Sequence, residues 1–130
     1  MKKVISTKNA PAAIGPYSQA IQAGDFLYVS GQIPIDPDTG SVIYGKAGNV
    51  ADQTNQAIKN LKAVLEAAGY ALEDVIKTTV FITDMANFAA VNKVYERYFD
   101  KDCPARSCVA VKTLPKDVLV EIEAVAYKKF

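Results

Sequence analysis

The sequence contains no histidine and only two cysteines, Cys103 and Cys108, among its 130 residues. Serine and cysteine hydrolases of the triad type need an imidazole base, so that mechanism is excluded. A zinc site needs about four Cys or His ligands at characteristic spacings, which this chain does not supply. A reducing cytosol disfavours a disulfide, so we expect two free thiols, at least one of them packed. Any acid–base chemistry must therefore use carboxylates, lysines, tyrosines or an ordered water.

The chain also lacks long apolar runs and any excess of charge of one sign. No stretch approaches the roughly 20 apolar residues that span a bilayer, and the basic start lacks the apolar segment of a signal peptide. These absences favour a cytoplasmic protein without a membrane partner. The formal net charge of +1 argues against a broad nucleic-acid surface, although a local patch is still allowed. Because repeats, linkers and low-complexity segments are missing too, we expect a single domain over residues 1–130.

Apolar periodicity and turn residues predict the secondary structure. Gly24-Asp25 joins two strand-like runs in the manner of a tight hairpin. In the first predicted helix apolar residues recur every three or four positions, with Asn49 as its cap and Gly69 at its end. Asn87 is the expected cap of the second helix. The predicted elements are strands Lys3–Ser6, Ser18–Ala23 and Phe26–Gln32, helix Asn49–Ala68, strand Val75–Ile82, helix Phe88–Phe99, and strands Ser107–Val111 and Val118–Tyr127.

This order of elements predicts an α+β domain in which both helices pack on one face of a mixed sheet. The opposite face would carry Val75, Thr79 and Phe81 of one strand, and Val125 and Tyr127 of the last. Such a face is too apolar for solvent, and no further element is left to cover it. We therefore expect oligomerisation through this face with closed cyclic symmetry.

Charged residues lie in or next to the last two predicted strands. Alternation places Arg106 and Cys108 on one side of the first strand, and Glu121 and Glu123 on one side of the second. The segment Lys112–Asp117 resembles a hairpin connection. If the chain turns near the middle of this segment, Cys108 lies opposite Glu121. The side chains of both strands would then form one patch, whereas a slip of the register by one residue would move one set to the other face.

Two interpretations of this patch are open. Spacing alone favours a salt bridge between Arg106 and a glutamate at a sheet edge or subunit interface. Alternatively, Pro104 places Arg106 at the beginning of the strand. There its planar guanidinium group can bind a carboxylate through two parallel hydrogen bonds. Glu121 between two apolar neighbours would be partly desolvated, which raises its pKa toward the range of a general base. An arginine that binds the anion, next to a carboxylate with a raised pKa, could form a site that hydrolyses a small acid.

Several longer motifs of the chain occur together in one known family. They are "AIGPYSQAI" (Ala13–Ile21), "VSGQIP" (Val29–Pro34), "EAAG" (Glu66–Gly69), "VIKTTVFITD" (Val75–Asp84), "PARSCV" (Pro104–Val109) and "LPKDVLVEIEAVA" (Leu114–Ala126). With these motifs the chain resembles the RidA (YjgF) family of enamine and imine deaminases. The resemblance implies a chorismate-mutase-like fold and a homotrimer with a central barrel and sites between subunits. It also implies hydrolysis of 2-enamino or 2-imino acids, such as 2-aminoacrylate and 2-iminobutanoate, to 2-keto acids and ammonia, without metal or cofactor.

The resemblance also implies roles for individual residues. Arg106 matches the arginine that binds the substrate carboxylate, and Glu121 matches the carboxylate that positions or activates water. Cys108 matches a cysteine that lines the pocket. The other positions that match pocket residues are Tyr17, Ser30, Gly31 and Asn92.

One departure from the family pattern lies just before the "PARS" motif. The connection that ends at Cys103 is short, whereas some relatives carry a longer insert with an aromatic residue before the proline. Cys103 therefore stands at the expected rim of the pocket, and the preferred substrate size does not follow from the resemblance.

Two other functions compete with deamination. In the first, the protein is a non-catalytic trimer that uses the same arginine to bind small acids or that docks on a regulator. Such a protein would still bind its ligand after Glu121→Ala, whereas an enzyme would lose its activity. Some relatives are linked to inhibition of translation through RNA. The near-neutral charge, the lack of histidine and the lack of an aromatic–basic stripe argue against that function.

Overall fold

A computed structural model describes residues 1–44 and 49–130, and its elements follow the predicted order. Their ends lie within two residues of the predicted ones, and those of strands Phe26–Gln32 and Val75–Ile82 are the same. The predicted irregular stretch before the first helix falls partly on residues 45–48, outside the described ranges. The elements are β1 (Lys2–Ile5), β2 (Ala20–Ala23), β3 (Phe26–Gln32), α1 (Val50–Ala67), β4 (Val75–Ile82), α2 (Phe88–Tyr98), β5 (Ala105–Ala110) and β6 (Val120–Tyr127).

The six strands form one mixed sheet in the order β1-β2-β3-β6-β4-β5. Only β4 and β5 are parallel, because α2 forms the crossover between them and returns the chain to the same end of the sheet. The prediction that β5 and β6 form a hairpin is therefore wrong. β4 lies between them, so the segment Lys112–Asp117 reverses the chain across the end of β4 and does not join two paired strands.

Both helices pack on the same face of the sheet, as predicted. The apolar stripe of α1 is fully buried and rests on β3 and β6, while α2 packs beside α1. The side chain of Asn49 caps α1 by accepting a hydrogen bond from the Ala51 amide at 2.8 Å, and Gly69 follows with φ +83°. Neither helix in the described parts of the chain is long and apolar enough to cross a membrane.

The start of α2 differs from the prediction. Asn87 has helical dihedral angles and its side chain caps nothing, because α2 continues directly from a 3₁₀ turn over Met85–Asn87. Asp84 caps that turn by accepting a hydrogen bond from the Ala86 amide at 2.9 Å. The helical path therefore begins one turn earlier than the apolar periodicity indicates.

The opposite face of the sheet is uncovered within the described ranges and carries apolar side chains beside Lys77, Glu121 and Glu123. Phe81 and Val125 are half-buried there, and Tyr127 packs against Phe26 with ring centroids 5.0 Å apart. Val75 does not belong to this face, contrary to the prediction. An irregularity in register between Val75 and Lys77 turns Val75 into the core and leaves Ile76 46% exposed.

Candidate active site

Arg106 projects from the edge strand β5 toward the side of the sheet that carries the helices, because its register partner is the buried Thr78 of β4. Its Nη1 donates a hydrogen bond to Oδ1 of Asn92 at 2.7 Å. The guanidinium carbon lies 4.9 Å from the ring centre of Tyr95 and 5.6 Å from that of Phe88. These partners are uncharged, so the positive charge of Arg106 is held in place but left available to an anion.

A cavity of about 500 Å³ opens beside the guanidinium. This volume falls in the range of small-molecule sites. The exposed thiol of Cys103 lies at its edge and donates a hydrogen bond to the Phe99 carbonyl at 3.1 Å. This cavity, the Arg106 pocket, is lined by Asn92, Tyr95, Glu96, Phe99, Cys103, Pro104 and Arg106.

Glu121 belongs to a different cavity of about 350 Å³. Tyr17 covers one side of it, and the phenol oxygen of Tyr17 accepts a hydrogen bond from the Ile14 amide at 3.4 Å. Ser30 is locked into the wall, since its hydroxyl donates to the Ser18 carbonyl at 2.6 Å. This cavity, the Glu121 pocket, is lined by Ile14, Tyr17, Ser30, Gly31, Ile33, Pro115 and Glu121.

The surroundings of Glu121 shift the protonation equilibrium of its carboxyl group. Burial raises its pKa above the ordinary value of 4.5, and the nearby charge of Glu123 raises it further. A carboxylate with a raised pKa is a stronger base than an exposed one. The direction agrees with the expectation from the apolar neighbours in the sequence.

Arg106 and Glu121 lie on opposite faces of the sheet. Arg106 pairs with Thr78 on the helix side, whereas Glu121 pairs with Phe81 on the uncovered side. The prediction of one common patch is therefore wrong, because it assumed a hairpin that β4 interrupts. For the same reason an Arg106–Glu121 salt bridge does not form within one chain.

The other predicted residues divide between the two pockets. Asn92 stands with Arg106, and Tyr17, Ser30 and Gly31 stand with Glu121. Cys108 lines neither pocket: its side chain packs against the core beside Val80. Burial raises the pKa of the Cys108 thiol, and the charge of Arg106 offsets part of that rise.

Both cysteines are free thiols, as predicted, with Cys108 partly packed and Cys103 exposed. Within residues 1–44 and 49–130, no group of three or more His, Cys, Asp or Glu side chains is arranged to hold a metal ion.

Sequence reasoning missed the aromatic support of Arg106. It gave Phe88 and Tyr95 no part in the site, whereas both rings lie against the guanidinium. A signal was present, because Phe88, Asn92 and Tyr95 are spaced by four and three residues and so share one face of α2. That spacing did not show which strand the face would meet.

Gly31 allows the Glu121 carboxylate its position. A Cβ atom at residue 31 would overlap the carboxylate, lying 2.7 Å from its carboxyl carbon. We expect Gly31→Ala to push the carboxylate aside, and kcat/KM of any reaction that uses this carboxylate should fall about 10- to 100-fold, since small displacements of a reacting group are costly. Steady-state kinetics measure the loss. Gly15→Ala is the matched control, because a Cβ there makes only ordinary contacts, 3.7 Å from Tyr17. An equal loss in both variants would contradict the steric explanation.

Comparison with known proteins places the whole chain in one family. The family model described as "Endoribonuclease L-PSP" matches residues 7–128. A "RutC family protein" of Pyrococcus horikoshii is 60% identical over 99% of this chain and 100% of its own length. The "2-iminobutanoate/2-iminopropanoate deaminase" of Salmonella typhimurium is 51% identical over 99% of this chain and 100% of its own. The structure of "E. coli TdcF with bound serine" superimposes with a TM-score of 0.92 at 47% identity, covering 98% of this chain and 99% of that one. Matches of this extent show that the chain belongs to the RidA (YjgF) family.

Proposed function

We propose that this protein hydrolyses 2-imino acids, and 2-enamino acids after tautomerisation, to 2-keto acids and ammonia. The observation that carries the proposal is the guanidinium of Arg106, held by uncharged partners at a cavity of small-molecule size. Such a group suits a carboxylate, which accepts two parallel hydrogen bonds from arginine. The deaminase name of the Salmonella relative and the serine bound to TdcF support substrates of the α-amino acid type.

The proposed reaction needs little help from the protein. The carbon of a protonated imine, R–C(=NH₂⁺)–COO⁻, is already electrophilic, so a positioned water can attack it. Glu121 accepts a proton from that water as the C–O bond forms, and returns it to nitrogen. The C–N bond of the resulting carbinolamine then breaks and ammonia leaves, while Glu121 takes up the hydroxyl proton and the carbonyl forms. An enamine enters the same path after protonation of its third carbon.

The position of the two pockets supports a site that neighbouring subunits complete. We propose a homotrimer in which the uncovered sheet face of one subunit packs against the next, closing into a central barrel. Arg106 stands on an edge strand and Glu121 on the uncovered face, so the Arg106 pocket of one subunit would meet the Glu121 pocket of its neighbour. The apolar side chains of that face favour its burial.

The remaining residues would support this arrangement. Asn92 would orient the guanidinium, and Tyr17 would cover the bound substrate. Ser30 would fix the β3 side of the Glu121 pocket through its hydrogen bond to Ser18. Gly31 has no Cβ atom and therefore leaves room for the Glu121 side chain. Cys108, two residues from Arg106 on the same strand face, would contribute packing and its backbone to the imine end of the substrate.

A coupled assay tests the activity. A serine/threonine dehydratase generates 2-aminoacrylate or 2-iminobutanoate, and the release of keto acid is followed with and without this protein. We expect release well above the rate in buffer. Binding of 2-oxobutanoate without accelerated release would instead support a non-catalytic acid-binding protein, and would overturn the proposed activity.

Mixing two inactive variants tests the shared site. An equimolar mixture of Arg106→Ala and Glu121→Gln, refolded together, should regain about a quarter of the wild-type activity. In a randomly mixed cyclic trimer, about one interface in four combines an intact Arg106 with an intact Glu121. Refolding Arg106→Ala with the double variant is the control and should regain nothing. If the first mixture also stays inactive although light scattering shows trimers, the two residues do not meet across an interface.

A further inference from the structure

We infer that Tyr95 is a positioning residue for Arg106: its buried ring forms the surface on which the guanidinium rests. The inference rests on the proposed function for the task of Arg106, the binding of a carboxylate. It assigns to Tyr95 a task that its place among the apolar residues of α2 does not reveal. Tyr95 acts on Arg106 and need not touch the substrate.

Tyr95 is fixed on several sides. Its side chain is only 6% exposed, and its hydroxyl shares a hydrogen bond of 2.7 Å with the fully buried Thr78. Its ring packs against Phe99 with centroids 4.6 Å apart. Thr78 is also the register partner of Arg106 across the parallel pair of strands. The ring is therefore tied to the strand next to the arginine that it supports.

The contact with Arg106 lies on this fixed ring. The guanidinium carbon is 4.9 Å from the ring centre, within the range of a cation–π interaction. Asn92 then sets the direction of one Nη atom by its hydrogen bond of 2.7 Å. The ring limits the position of the guanidinium carbon, and the amide limits the direction of one Nη atom.

An aromatic ring suits this task better than a carboxylate. Arginine on an edge strand has several rotatable bonds, and holding it in one geometry costs conformational entropy. A carboxylate would hold it but would also occupy the fork that the substrate needs. The ring of Tyr95 attracts the cation while leaving hydrogen-bond donors free. The substrate then meets a preoriented fork, which lowers the entropy lost on binding.

The chain contains only two arginines, Arg97 and Arg106, which makes the inference directly measurable. The ¹⁵Nε–Hε signals of both can be followed by NMR relaxation in the full protein, with Arg97→Lys to assign them. Arg97 is exposed near the end of α2 and serves as the internal reference. We expect the Arg106 signal to be more restrained than that of Arg97 in the wild type. Tyr95→Phe should keep this restraint, and Tyr95→Leu should lose it.

Kinetics provide the second measurement. Tyr95→Leu should raise KM in the coupled assay about tenfold with a much smaller change in kcat, since a cation–π contact of this kind is worth about that factor. Tyr95→Phe should restore most of the affinity. Tyr98→Leu is the matched control on the same helix, because the hydroxyl of Tyr98 bonds Asn55 and not the arginine pocket. A purely structural role of Tyr95 would not separate KM from kcat in this way.

The outcomes are distinguishable. If the Arg106 signal stays as restrained in Tyr95→Leu as in the wild type, the inference is overturned, whatever the assay shows. If the wild type does not deaminate, the proposed function falls, but the relaxation data still decide the role of Tyr95. Should Tyr95→Leu lose its fold by circular dichroism, Thr78→Val takes its place, because it removes the hydroxyl partner and keeps the shape. It should loosen Arg106 partly, and an unchanged signal would again overturn the inference.

Discussion

Replacing Arg106 with alanine should lower kcat/KM for 2-iminobutanoate about 100-fold or more. The substitution removes the only cationic group of the described Arg106 pocket, and with it the fork proposed to bind the substrate carboxylate. Two charge-assisted hydrogen bonds together account for roughly 3 kcal/mol, which corresponds to about a hundredfold change in rate. The coupled assay measures the effect, and much of it should appear in KM because the carboxylate is bound before and during the reaction.

Two further variants show whether the geometry or only the charge matters. Arg106→Lys keeps the charge but offers no planar fork, so it should recover only a small part of the loss. Arg97→Ala removes the other arginine of the chain from an exposed site and should leave the kinetics unchanged. The substrate-binding role of Arg106 would be ruled out by an Arg106→Ala protein that is folded, trimeric and as active as the wild type.

Glu121→Gln should lower kcat about 10²- to 10⁴-fold, the usual range for removal of a general base. Glutamine has nearly the shape of glutamate, so it can occupy the space above Gly31 without accepting a proton. Binding of 2-oxobutanoate should survive, because Arg106 is intact. Near-normal turnover in this variant would show that water is activated elsewhere, and the mechanism given above would be wrong.

The raised pKa of Glu121 gives this prediction a pH signature. In the wild type kcat should fall as the pH drops through the pKa of Glu121, which burial raises above 4.5. Proton uptake converts the base to a form that cannot accept another proton. An inflection at or below 4.5 would contradict the desolvation seen in the structure.

The same pKa predicts an effect on stability of a definite sign. A carboxyl with a raised pKa in the folded state binds protons more tightly there than in the unfolded chain. Its contribution therefore stabilises the fold at low pH and is lost as the pH rises from 4.5 through the raised value. Glu121→Gln removes this dependence, so its melting temperature relative to the wild type should improve toward neutral pH. A variant that is inactive yet no less stable would separate catalysis from folding.

Many local features of this protein could be predicted from its sequence. The apolar spacing of α1, its Asn49 cap and the hairpin at Gly24 depend on neighbouring residues, and all are found in the structure. The residues of the candidate site were identifiable because long motifs carry the family resemblance. The aromatic support of Arg106 was missed, since the face of α2 that carries Tyr95 does not reveal which strand it will meet.

Sequence by itself determined the types and order of the elements, the alternation of side chains along each strand except at the irregularity beside Val75, and the residues proposed to bind an acid. It did not determine which strands are neighbours. That choice depends on the crossover through α2, which places β5 parallel to β4 and β4 between β5 and β6. The energy of strand pairing comes from partners distant in the chain, so alternation within one strand does not reveal it. Tertiary structure alone therefore decided that Arg106 and Glu121 face opposite sides of the sheet.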